Sequence, residues 1–149
     1  MMPQAMHRPF PSIFLFSLML STAWTLASAD RAAAAESDAT GRLFEMRTYT
    51  TAPGKLENLH ARFRDHTNAL FVKHGMALIA YWVPKEKPNT LIYILAYPDR
   101  DAREASWKAF MADPEWQRVW DASKKAAGGP IVTKIDETFM RPTDYSPIH

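Results

Sequence analysis

Cysteine is absent from the 149 residues. Disulfides, thiolate metal sites and cysteine nucleophiles are therefore excluded, and stability has to come from packing or association. Glycine is scarce, with five in all, and none sits in a phosphate-cradling pattern, so nucleotide binding is unsupported. Ser106 and Ser123 lie outside any G-x-S-x-G setting, which leaves a hydrolase triad without a nucleophile elbow. Lysine and arginine form no run. The 18 basic residues against 16 acidic ones give a net charge of +2, which is no electrostatic footprint for nucleic acid. His60, His66 and His74 stand too far apart on one predicted helix to share an ion, and no H-x3-H pair occurs. No metal site is expected, and no tightly held cofactor. A lone axial haem histidine at His66 or His74 is the weaker reading beside a helix-capping or boundary role.

Long hydrophobic runs are also missing, with one exception near the N-terminus. Ile13, Phe14, Leu15, Phe16, Leu18, Met19 and Leu20 follow a short basic start at His7 and Arg8. Ala27-Ser28-Ala29 and the charged pair Asp30-Arg31 come next. That is the order of a secretory signal peptide over 1–29, with cleavage expected after Ala29. The stretch from Ile13 to Ala29 is short and diluted by Ser and Thr, whereas a spanning helix wants about 20 apolar residues. No stable membrane anchor is expected after cleavage. Without twin arginines or a lipid-accepting cysteine, the general secretory route to the periplasm or the exterior is the expectation. Residues 30–41, Ala-rich and polar, read as a flexible linker.

What remains is ordinary for one globular domain, with 47% apolar and 23% charged residues in the whole chain. Leu43 to Thr50 alternates, with Phe44, Met46 and Thr48 on one face and Glu45, Arg47 and Tyr49 on the other. Pro53-Gly54 opens a helix whose apolar positions are Leu56, Leu59, Phe63, Leu70 and Phe71, and Gly75 suits its C-terminal cap. Met76 to Val83 is nearly all apolar and reads as a strand buried on both faces. Pro84 to Asn89 turns the chain into a second apolar strand, Thr90 to Tyr97. Asp99 or Asp101 can cap the next helix, and Asp113-Pro114 starts a further one. Trp107, Phe110, Trp116 and Trp120 fall at helical spacing and are expected to pack on the sheet. Gly128-Gly129-Pro130 stops that helix, and Ile131 to Met140 is the last strand. The domain spans 42–142, and 143–149 is a C-terminal tail. The order β-α-β-β-α-β is the ferredoxin-like sandwich of an α+β protein. Its helices cover one sheet face, and an apolar second face implies an interface, so a homodimer with two sheets face to face is expected.

RTYT-x2-PGK (Arg47 to Lys55), KHG (Lys73 to Gly75) before the run ending in Tyr81-Trp82, and ADPEWQ (Ala112 to Gln117) together resemble the NIPSNAP family. The resemblance covers about Leu43 to Pro142. It implies a dimeric α/β barrel, the fold shared with antibiotic-biosynthesis monooxygenases, and implies no particular chemistry.

Candidate site residues follow from the strands. Arg47 and Tyr49 share a face with Glu45, and in an enclosed cavity they could fix an anionic or carbonyl-bearing ligand. The plainer reading is an ion pair that sets register. Tyr81 or Trp82, with Tyr93 and Tyr97, could line the same cavity, although alternation leaves open which of Tyr81 and Trp82 points in. Two functions are in view. One is an exported module that binds a small apolar or aromatic ligand inside a dimeric barrel. The other is a cofactor-independent enzyme of monooxygenase or isomerase type, with His66 or Glu45 as base and Arg47 or Tyr49 as stabiliser.

Overall fold

The computed structural model describes residues 41–148, so the signal peptide expected over 1–29 and nearly all of the expected linker lie outside the described residues. Four strands form one antiparallel sheet: β1 (Leu43–Thr51), β2 (Ala77–Trp82), β3 (Thr90–Tyr97) and β4 (Val132–Met140), in the order β2-β3-β1-β4. Between β1 and β2 run α1 (Leu56–Arg62), a π-helical turn (Phe63–Thr67) and α2 (Asn68–Lys73). Between β3 and β4 run α3 (Arg100–Ala112) and α4 (Pro114–Ala126). This is the expected α+β, ferredoxin-like arrangement.

The helix boundaries follow from capping chemistry. Asp99 accepts from the Ala102 amide at 2.7 Å and caps α3. Asp113 accepts from the Glu115 amide at 2.8 Å and caps α4, with Pro114 in the first turn, where a missing N–H costs nothing. Gly75 ends α2 at φ +79°, a left-handed conformation that glycine adopts without a Cβ clash.

The motifs behind the family resemblance are the points where these elements tie together. Lys73 Nζ and His74 Nε2 lie 2.8 and 2.7 Å from the same Asp113 oxygen, joining the end of α2 to the start of α4. Lys55 Nζ donates to the carbonyl of Ala127 just past α4, where a cation meets the negative end of the helix dipole.

The core lies between the sheet and the helices. It is an aromatic lattice in which Phe63 meets Tyr93 at 5.2 Å, Phe71 meets Phe110 at 5.0 Å and Phe110 meets Trp116 at 4.4 Å between ring centres. Burying each such ring contributes on the order of 2 kcal/mol.

Two expectations need correction. The strand at Met76 to Val83 is not buried on both faces. β2 is an edge strand of intermediate exposure, because the sheet face away from the helices is largely uncovered. Only part of that face is met by the C-terminal segment, where Pro142 and Ile148 approach Phe44, Ile79 and Ile94. Trp120, expected to pack on the sheet, is 45% exposed. It stands on α4 over β4, the other edge, where helix cover runs out.

Candidate functional site

The alternation of β1 is as expected, and the structure decides what each face meets. Glu45, Arg47 and Tyr49 point towards the helices of their own chain, as do their β3 neighbours Tyr93 and Tyr97. The cavity they help to form therefore lies between sheet and helices. It is not the space between two sheets in which they were expected.

Glu45 is fully buried and its oxygens are saturated. It accepts from Arg47 Nη1 at 2.6 Å, Arg103 Nη2 at 2.7 Å, the Tyr97 hydroxyl at 2.9 Å and the Trp107 indole at 3.0 Å. Burial alone would raise its pKa, but the hydrogen bond from Arg103 and the charge of Arg47 outweigh that and hold it below the usual carboxylate range. A carboxylate with every lone pair committed is a poor proton acceptor. Glu45 orients Arg47 and Arg103, and that corrects its candidacy as base.

Arg47 is bound on its far side by Glu137 on β4, at 2.7 Å, and its guanidinium lies 4.2 Å from the centre of the Trp107 ring. In front of this layer opens a cleft of about 550 Å³. Arg47, Tyr49, Phe63, Trp107, Trp116 and Ile135 line it, with Trp120 and Glu137 at the β4 side. Its wall is mostly apolar and aromatic, with a few placed charges, the usual make-up of a small-molecule site.

The π turn shapes the remaining wall. At roughly 100° per residue, positions 62 and 67 of a straight α-helix would face about 140° apart. The wider turn brings both inward, so Arg62 and Thr67 are buried and line the cleft. Thr67 Oγ1 donates to the Arg62 carbonyl at 3.2 Å, closing the turn over five residues. Such bulges recur at functional sites. The same insertion rotates His66 away. His66 is exposed, in a shallow groove between α1 and α4 with Arg118 and Ser123. It shares no wall with Arg47 or Tyr49, which corrects its candidacy as base.

Of the six ligand candidates, the structure brings Arg47 and Tyr49 together at the cleft. Tyr93 and Tyr97 stand behind its wall. Tyr97 donates to Glu45. The Tyr93 hydroxyl is buried beside Tyr49 without a well-formed hydrogen bond, and burial pushes its pKa well up. Tyr81 points to the helix side, where its hydroxyl donates to Asn68 at 2.9 Å and burial pushes it up to about 12. Trp82, next along β2, is 51% exposed. Both border a second, smaller pocket with His60 and Phe63.

Arg62, Arg103 and Glu137 at the cleft were not among the candidates read from the sequence, and Trp107 and Trp116, expected only to pack on the sheet, line it as well. One signal was available: Arg62 stands three residues after Leu59, on the apolar stripe, where a cation is out of place.

The NIPSNAP family profile matches residues 44–147. A NIPSNAP family protein of unknown function from Agrobacterium tumefaciens superposes with a TM-score of 0.64 at 22% identity, over 73% of this chain and 95% of that one. An uncharacterised NIPSNAP domain protein from Burkholderia xenovorans gives 0.61 at 24%, over 70% and 98%. A Bacteroides thetaiotaomicron protein named as an antibiotic biosynthesis monooxygenase gives 0.51 at 18%, over 74% and 96%. These likenesses concern the fold. No curated protein matches the chain.

Proposed function

From the premise that the chain belongs to the NIPSNAP family, we propose that it is an exported binding module that holds a small apolar or aromatic molecule in the cleft between its sheet and helices. The observation that carries this reading is the cleft itself, about 550 Å³ with walls of Tyr49, Phe63, Trp107 and Trp116. A volume of that order suits a drug-sized molecule. Binding has more support than turnover. Glu137, the one carboxylate among the lining residues, is paired to Arg47, and Glu45 and His66 are placed unsuitably for proton transfer.

We propose further that a second copy covers the open sheet face, where Met46, Ile92 and Trp82 are presented on adjacent strands. Export, with cleavage after Ala29, is part of the same proposal.

The test is native mass spectrometry of protein purified from the exported fraction. A small mass that leaves on denaturation, and that is missing from an Ile135→Trp variant with the cleft blocked, is the expected result. An adduct of equal abundance in both proteins would overturn the assignment to this cleft.

A further inference from the structure

Arg62 is the one cation of the cleft without an acid. It is 6% exposed, and no carboxylate pairs with it among the described residues. Its hydrogen bond there runs from Nη1 to Ser123 Oγ at 3.3 Å, a long contact, and its Nε is buried with no partner. The Trp116 ring lies 5.5 Å from its guanidinium carbon and offers a partial countercharge at best. Burial pulls both Arg62 and Arg47 down. For Arg47 the neighbouring phenols and Glu45 reverse that, and for Arg62 burial wins. A buried charge without a partner is costly, and native structures seldom keep one without a reason.

The charge balance indicates what is missing. Arg47 and Arg103 are each paired, to Glu45 and Glu137 and, for Arg103, also to Glu104, whereas Arg62 has no acid among the described residues. Arg62 is thus the cation left without an acid, on a cleft whose wall is mostly apolar and aromatic.

We infer that the molecule bound in the cleft is a hydrophobic or aromatic monocarboxylic acid, its carboxylate seated on the guanidinium of Arg62 and its body against Tyr49, Phe63 and Trp116. The inference rests on the cleft being a binding site. A single carboxylate matches the one guanidinium that lacks an acid, and its two oxygens match the planar fork of a guanidinium. A dianionic phosphate would leave an uncompensated negative charge in the same buried place.

Trp107, Trp116 and Trp120 line the cleft, so their fluorescence reports occupancy. The probes are matched pairs at pH 7: 2-naphthoic acid with 2-naphthamide, and decanoic acid with decanamide. The expected result is that an acid binds at least tenfold more tightly than its amide, and that Arg62→Met removes the difference. Arg62→Met should also melt at a higher temperature than the parent when empty, because a buried unpaired charge is gone. Arg62→Lys, which keeps the charge and loses the planar guanidinium fork, should weaken the acid severalfold and leave the amide unchanged. Equal binding of acid and amide would overturn the anion assignment while leaving the cleft as a site. Failure of all four probes to bind would remove the support for the cleft itself. An Arg62→Met protein that melts lower and still prefers the acid would make Arg62 a structural residue and end the inference.

Discussion

Glu45 shows how a residue that looks chemical in sequence can be structural in space. Its spacing from Arg47 was readable, since residues two apart on a strand share a face. What could not be read was that Arg103 and Trp107, 58 and 62 residues away, reach the same carboxylate. Breaking a buried ion cluster by removing one partner costs about 3–5 kcal/mol. Glu45→Gln should lose that order of stability in urea denaturation, because Arg47 and Arg103 would then face each other with one anion fewer. A loss below about 1 kcal/mol would mean the cluster is far wetter than its burial implies. At the same scale, Tyr81 and Trp82 are adjacent in sequence and opposite in fate. The register that sets Tyr81 against Tyr93 puts Trp82 on the other face.

At the level of elements, the helix between β1 and β2 was foreseen from its apolar spacing, and its π turn was not. Periodicity assumes a constant turn, and one wide turn shifts every later residue. In a regular helix His66 and Thr67 would both follow Phe63 on the inner face, and in this one only Thr67 does. The junction of α2 with α4 depends on Asp113. Lys73, then His74, hold its carboxyl well below the usual carboxylate range. A group depressed in the folded state contributes stability that is present above its unfolded pKa, about 4, and is lost as pH falls through the folded value. Thermal stability should therefore drop on acidification below about pH 4, and Asp113→Asn should be less stable at neutral pH with a flatter slope in that acid window. An unchanged slope in the variant would remove Asp113 from the acid response. Gly75 is a separate case. At φ +79° an added Cβ meets only Ser106 Oγ at 3.6 Å, so space is not the obstacle. Gly75→Ala should still lose about 1 kcal/mol in denaturant titration, from backbone conformation alone.

On the scale of the whole molecule, the sheet has two unlike faces. One is closed by helices over an aromatic core. The other presents Met46, Ile92 and the half-exposed Trp82, with the C-terminal segment on part of it. On the proposal that a second copy completes that face, Trp82→Glu should shift the protein to monomer in native mass spectrometry and leave acid binding in the cleft intact. A dimer that persists unchanged would move the interface elsewhere. The sequence by itself determined the element order, the caps, the βαββαβ class and the family, because these depend on local periodicity, turn chemistry and short motifs. Only the tertiary structure decided which face of β1 meets the helices, that Glu45 is consumed by distant arginines, and that Arg62 is the cation left over. A strand's alternation separates two faces without naming them, and a charge is paired or orphaned by neighbours that the chain brings in from far along its length.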